Sequence, residues 1–371
     1  MNDNFLKKQI ITYMGNKRKL IPAISNVIDM IRRELDQPSL TTADAFSGSG
    51  IVSRLLKTKS DQLYVNDLAG YSTTLNTCYL STLTPEEITV LETYIQTANR
   101  FAHSHGDGGV PSWIRLHWAP SGEKKRAYYT EQNALLIDKY RHFITTIPEQ
   151  FQPFLLAQLL VKASIHNNTN GQFSAYYKDA NGVGKYGGKK EIDIKRITTD
   201  ITLELPIFSP HPCETHISQM DSTTWVKNIP PVDIMYLDPP YNQHPYSIYY
   251  FMLDIIHKWD TNISIPDTNR GQPKNWITSE YNSFKHAERA FTELIMNIKS
   301  KYIILSYNNK GIIPIKKIHT ILSARGKVYT IPVDHKTYNR MKGIASYKRK
   351  GAWENVKEFI WMVDLTMKNK D

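Results

Sequence analysis

The stretch VDIMYLDPPYN, residues 232–242, decides the fold of this chain. Val232, Asp233, Ile234, Met235 and Tyr236 read as a buried strand, and the strand runs into Asp238, Pro239, Pro240 and Tyr241. Two prolines fix φ and carry no N–H, so the turn is stiff and presents carbonyl oxygens without competing donors. A carboxylate beside a backbone carbonyl makes a pair of acceptors for an amino group, and Tyr241 adds a face on which a planar ring can stack. The pattern points to an amine on an aromatic ring; the bland alternative is a structural Asp-Pro-Pro turn.

Two upstream segments have the same strand-then-loop form. TADAFSGSG, 42–50, carries Asp44 into a glycine-spaced turn and then into IVSRLLK, which reads as a helix. Gly48 and Gly50 allow close backbone approach to a ligand, although the spacing is not the dinucleotide G-x-G-x-x-G. QLYVNDLAG, 62–70, ends a short strand in Asn66 and Asp67, with Asp67 following Gly50 by 17 residues. An acid at that point accepts ribose hydroxyls in doubly wound sheets; the other reading is a turn-forming Asn-Asp pair. Ligands of parallel sheets meet the carboxyl ends of the strands, so Asp238 is expected beside the loop at 44–50.

With 371 residues and 41% hydrophobic residues, the chain suits one large α/β domain with an insertion, or two domains sharing an interface. Cys78 and Cys213 are too few for a disulfide framework or a Cys-rich zinc site, and the start lacks the apolar stretch of a signal peptide. No window is long and apolar enough to span a bilayer, so a cytoplasmic protein without membrane partners is expected. The net charge of +11 is unevenly placed: residues 1–260 hold 26 Lys+Arg against 26 Asp+Glu, and residues 261–371 hold 20 against 9. Within the basic part, 335–353 contains Lys336, Arg340, Lys342, Lys348, Arg349 and Lys350 with no acid and with Tyr338 and Tyr347 interleaved. Such a run is a solvated loop or a polyanion contact.

Four short elements in this order, YMGNKRKL (13–20), DAFSGSG (44–50), VND (65–67) and DPPY (238–241), make the chain resemble the S-adenosylmethionine-dependent DNA adenine-N6 methyltransferases of the DNA adenine methylase, or D12, class. The resemblance implies an α/β Rossmann-like methyltransferase sheet with a closing antiparallel hairpin, plus a largely helical inserted domain. It implies S-adenosyl-L-methionine held by Tyr13, Gly15, Asn16 and Lys17, by Asp44, Ala45, Phe46, Ser47, Gly48 and Gly50, by Asp67 and Leu68, and by Asp238. Asp221, in CETHISQMDSTTW (213–225), is expected to accept from the cofactor adenine, or else to cap a helix. Catalysis is assigned to Asp238, Pro239, Pro240 and Tyr241, with no metal.

Asp67 and Asp238 are 171 residues apart, whereas a βαβ unit needs roughly 30. Residues 80–205 are therefore expected to form the inserted domain, and 1–79 with 206–371 the catalytic one. TPEEITVLETYIQTANRF reads as a helix with a capping box at Thr84 and Glu87 and proline at its first position, and QPFLLAQLLVKASIH as another helix. In the resembling family such an insert reads DNA, so Asn167, Asn168, Asn170 and Lys185, in the polar segment 166–190, are candidate DNA contacts. Tyr128, Tyr129, Thr130 and Asn133 are expected to pack the insert against the catalytic domain. YIILSYNN (302–309), KVYTIPV (327–333) and VKEFIWMVDL (356–365) read as strands; the loop between the last two carries Arg340, Lys342, Lys348 and Arg349 as further DNA contacts. His257, in an apolar helix at 249–260, is read as structural.

The expected partners are double-stranded DNA and a companion restriction endonuclease, with the chain a monomer or weak dimer. Cytosine-N4, RNA or protein-glutamine methylation and non-enzymatic DNA binding are the competing readings. The large helical insert followed by a basic tail, and the cofactor loops, favour the adenine enzyme.

Overall fold

The computed structural model describes residues 3–188, 192–274, 276–331 and 357–367. Among these, seven strands form one sheet: β1 (Thr41–Asp44), β2 (Gln62–Asn66), β3 (Glu214–Ser218), β4 (Val232–Leu237), β5 (Ser300–Asn308), β6 (Lys327–Ile331) and β7 (Glu358–Asp364), in the spatial order β3-β2-β1-β4-β5-β7-β6. The first five are parallel, and β7 inserts antiparallel between β5 and β6. This is the Rossmann-like sheet with its closing hairpin. The strand order reverses between β1 and β4, where such sheets open a crevice at their carboxyl ends.

The central strands are apolar along their length because both faces are covered. Ile234, Tyr236, Tyr302 and Ile304 join a core with Ile24, Ile28 and Leu55, while Met235, Leu237, Ile303 and Leu305 join a second with Trp225, Phe291, Leu294 and Ile321. The two sets alternate along β4 and β5, as a period of two requires. Helices Ile21–Leu35, Ile51–Lys57, Gly70–Leu80 and Phe251–Lys258 thus lie on one face, and Ser222–Asn228, Ala287–Asn297 and Ile315–Ser323 on the other.

Between β2 and β3 the chain is helical: Pro85–Ala102, Trp113–Trp118, Glu131–Ile144, Gln152–Ile165 and Ile194–Thr198 follow Gly70–Leu80. The first begins with the expected box, the Thr84 hydroxyl accepting from the Glu87 amide while the Glu87 carboxylate accepts from the Thr84 amide. Gln152–Ile165 buries nearly all its faces. Its residues Leu155, Leu159 and Leu160 share one hydrophobic cluster with Ile28, Leu55 and Phe251. Tyr128 and Tyr129 belong to this cluster, and Asn133 is buried with Nδ2 donating to the carbonyls of Ile197 and Thr199. The expected helix at 249–260 is split into Tyr246–Tyr249 and Phe251–Lys258. No described helix is long and apolar enough to cross a membrane.

Candidate active site

The switch point brings the loops after β1 and β4 side by side, the Ala45 amide donating to the carbonyl of Tyr236 at 3.2 Å. After β1, Asp44 is fully buried; its Oδ2 accepts from the Ser53 hydroxyl at 2.6 Å and its Oδ1 from the Phe46 amide at 3.3 Å. The Gly48 amide donates to Asp67 Oδ2 at 2.7 Å, and the Ala69 amide to Asp67 Oδ1 at 2.8 Å, so one carboxylate joins the turns after β1 and β2. Gly48 has φ +51°, and a Cβ on it would meet the Tyr13 ring at 3.0 Å. Gly50, at φ +76°, caps Ile51–Lys57.

The N-terminal element closes over these loops from above. Tyr13 stacks on Tyr246 and Tyr250 with ring centroids 5.0 and 4.7 Å away, and the Met14 amide donates to the Tyr250 hydroxyl at 2.6 Å. On the β3 side, Asn66 donates to the Met220 carbonyl and accepts from the Met220 amide, both at 3.0 Å, which fixes the approach to Asp221.

Together these elements wall a cleft of about 1020 Å³, counted out to open solvent. Tyr13, Gly15, Asn16, Lys17, Asp44, Ala45, Phe46, Ser47, Gly48, Asp67, Leu68, Asp221 and Asp238 line it, as does Pro240. Gly50, Pro239 and Tyr241 do not line it. Asp221 caps a helix, Oδ1 accepting from the Thr223 and Thr224 amides, and it also forms part of the wall.

The cleft's electrostatics suit a cationic ligand. Among the described residues, Asp44, Asp67, Asp221, Asp238 and Asp254 line it against a single lysine, Lys17. Burial pushes the carboxyl of Asp44 up to about 7, raises that of Asp67 despite the backbone amides it accepts, and raises that of Asp238, opposed by the nearby Lys17 ammonium. Asp254 Oδ1 is shielded and has no hydrogen-bond partner among the described residues. A molecule carrying a sulfonium, an ammonium and a flat base fits these carboxylates and the aromatic walls Tyr13, Phe46 and Tyr246.

At Asp238 the arrangement departs from an open acceptor. Lys17 Nζ lies 3.0 Å from Asp238 Oδ1 and 3.1 Å from Glu358 Oε1, with side chains 4%, 20% and 8% exposed respectively. The Tyr241 hydroxyl bonds to Asp238, receives Lys17 at 2.6 Å and lies 3.1 Å from Glu358. Its ring has the Lys17 ammonium 4.7 Å from its centroid and meets Tyr307 edge-on at 4.9 Å. The Tyr241 ring, expected to stack a substrate base, is half-buried, with Tyr307 against its edge and the Lys17 ammonium near it. Lys17, expected as a cofactor contact, is also the ion-pair partner of Asp238. Glu358 lay hidden in what read as an apolar strand, and Tyr246, Tyr250 and Asp254 in what read as a loop and helix; no local pattern marks them.

The expected DNA contacts separate. Asn167 and Asn168 are fully buried, which corrects their assignment. Asn167 Nδ2 donates to the Ala163 carbonyl and its Oδ1 accepts from Thr169, whereas Asn168 Nδ2 donates to the carbonyls of Ala127 and Lys185 and its Oδ1 accepts from the Gly187 amide. Both amides are spent on hydrogen bonds within the protein. Asn170 and Lys185 are half-buried, and the 177–185 stretch forms a small hairpin, bridged at Lys178 and Gly184, whose tip at 179–183 is exposed. Arg340, Lys342, Lys348 and Arg349 lie outside the described residues. His257 is structural, its Nδ1 3.0 Å from the Thr74 hydroxyl and burial lowering its pKa to about 4.

Comparison with known proteins agrees with this geometry. The model of the D12 class N6 adenine-specific DNA methyltransferases matches residues 13–321. The Type II methyltransferase M.NlaIII of Neisseria lactamica is 27% identical over 96% of this chain and 100% of its own length. The Type II methyltransferase M.CviAII of Paramecium bursaria Chlorella virus 1 is 26% identical over 88% of this chain and 92% of its own. The modification methylase LlaI of Lactococcus lactis subsp. lactis is 26% identical over 82% of this chain and 47% of its own length. The chain belongs to the D12 class N6 adenine-specific DNA methyltransferase family.

Proposed function

We propose that the chain binds S-adenosylmethionine in the cleft and methylates N6 of an adenine extruded from double-stranded DNA, as the modification enzyme of a restriction-modification system. The observation that carries this reading is that Asp238 and the loop 44–49 form walls of one acidic cleft. Methyltransferases of this family generally use that cofactor, which when bound supplies an electrophilic methyl on a sulfonium. The chain's own residues do the rest. An adenine in a duplex hides its N6, so the base leaves the stack at a cost of a few kcal/mol. The N6 lone pair is delocalised into the ring and is a poor nucleophile. Acceptors on both amino hydrogens, the Asp238 carboxylate and the Pro239 carbonyl, favour a tetrahedral nitrogen whose lone pair turns out of the ring plane. The Lys17 ammonium, 3.0 Å from Asp238 Oδ1, opposes the upward push of burial on that carboxyl, and Tyr241 acts through its hydroxyl. Orientation and electrostatics carry the acceleration.

Residues 80–205 serve as the target-reading part, with the exposed hairpin tip and Lys185 toward DNA. Asp238→Ala is expected to lower methyl transfer by at least about 10²-fold while cofactor affinity in calorimetry changes by only a few-fold. Near-normal turnover in that variant, or a wild-type chain that binds no cofactor, overturns the reading.

A further inference from the structure

We propose that Glu358 is a positioning residue for methyl transfer, holding the Lys17 ammonium and the Tyr241 hydroxyl so that Asp238 is freed to accept the adenine amine. The inference rests on the reading of Asp238 as that acceptor. Glu358 is the first residue of β7, far along the chain from the other three. Its Oε1 lies 3.1 Å from Lys17 Nζ and 3.1 Å from the Tyr241 hydroxyl, in a side chain 8% exposed. Lys17, itself nearly dry, stands 3.0 Å from Asp238 Oδ1 and also donates to the Gly15 carbonyl at 3.0 Å. Two carboxylates thus share one ammonium and one phenol.

The contact between Lys17 and Asp238 works in two directions. It offsets the cost of burying the Asp238 charge, but it also occupies Oδ1, the oxygen that an incoming amine needs. If Asp238 were its sole carboxylate, Lys17 would be left without an anion in a dry site whenever the substrate took Oδ1, a costly exchange. A second carboxylate at nearly the same distance removes that obstacle. Lys17 moves onto Glu358, keeps a partner, and remains close enough to hold Asp238 charged. The Tyr241 hydroxyl, with one proton and two carboxylates within reach, transfers its hydrogen bond in the same way. Among the described residues, the ionisable groups around Asp238 are Lys17 from the N-terminal loop, Tyr241 from its own loop, Glu358 from β7, Asp44 at the end of β1, Tyr236 in β4 and Tyr246 in the helix that follows. Of these, Glu358 raises the Asp238 pKa and Lys17 lowers it.

The test is Glu358→Gln in the full chain, read by single-turnover methyl transfer at saturating DNA and cofactor across pH. The rate constant near neutral pH is expected to fall about ten-fold or more, with cofactor affinity within about three-fold of wild type. The acid limb of the profile is expected to move to lower pH, because a negative neighbour of Asp238 is gone; a purely structural loss would not move it. A wild-type rate with an unmoved acid limb overturns the proposal. Should Glu358→Gln fail to fold, Glu358→Asp decides: it keeps the charge but shortens the reach, and a wild-type rate there overturns the proposal equally. Asp238→Asn run in parallel separates the two readings. An inactive Asp238→Asn beside a normal Glu358→Gln removes the role of Glu358 alone, whereas an active Asp238→Asn removes the reading of Asp238 beneath it.

Discussion

Asp44 is sealed from water and has the Ser53 hydroxyl and the Phe46 amide as its hydrogen-bond donors. Burial is the main reason its carboxyl is pushed up to about 7, with the charges of Asp238 and Asp67 adding to it. In the unfolded chain the same group titrates near 4. The folded state therefore holds a proton that the unfolded state has lost, and stability falls as pH rises from about 4 to about 7, then levels off. Asp138 and Asp254, both pushed up to about 7 by burial, act in the same sense. Asparagine at position 44 can still accept from Phe46 and can donate to Ser53, without a charge to bury. Asp44→Asn is thus expected to stabilise the ligand-free protein more at pH 8 than at pH 5, by a difference on the order of 2 kcal/mol in urea unfolding. An equal effect at both pH values would show that this carboxyl ionises normally.

The hairpin at 177–185 owes its footing to Asn168. The Asn168 carbonyl accepts from the Tyr177 amide, its Nδ2 donates to the Lys185 carbonyl, and its Oδ1 accepts from the Gly187 amide, so one buried residue ties both arms. Asn168→Ala keeps the backbone bond to Tyr177 but leaves the Ala127 and Lys185 carbonyls and the Gly187 amide without the side chain, and is expected to cost about 1–3 kcal/mol in urea unfolding. Lys185→Ala, at a half-buried site, is expected to stay within about 0.5 kcal/mol of wild type while weakening binding to duplexes of any sequence. A loss of stability in the lysine variant with unchanged DNA binding would reverse the two roles. The contrast explains what the sequence discloses. Helix Pro85–Ala102 is legible because its capping box is spelled by residues three positions apart, and β4 because its apolar run meets two prolines. Asn168 is not, because an amide that reads a base edge and one that ties its own backbone have the same composition around them. Glu358 is hidden for a related reason: its partners come from the opposite end of the chain and from the loop after β4, and an isolated acid in a strand carries no mark of them.

Across the whole molecule, the helical segment between β2 and β3 and one face of the sheet share a continuous hydrophobic cluster, so the proposed DNA-reading part and the cleft belong to one packed body. The charge, by contrast, is concentrated: residues 261–371 carry 20 Lys+Arg against 9 Asp+Glu, while the remainder balances at 26 against 26. An acidic cleft does not attract a polyanion, so this basic part of the chain is expected to supply most of the phosphate contacts of the proposed DNA complex. Each phosphate neutralised by a lysine or arginine releases counterions and adds roughly 0.9 to the slope of log affinity against log salt. If Arg340, Lys342, Lys348 and Arg349 each meet a phosphate, changing all four to glutamine lowers the magnitude of that slope by about 3 to 4. Filter binding or fluorescence anisotropy on a specific and an unrelated duplex, titrated with KCl, measures it directly. The loss should be the same for both duplexes, because phosphate contacts hold register without reading sequence. An unchanged slope would move the phosphate contacts to the other basic residues beyond 260, such as Lys274, Lys285 and Arg289; a loss confined to the specific duplex would make the stretch at 335–353 a reader of bases.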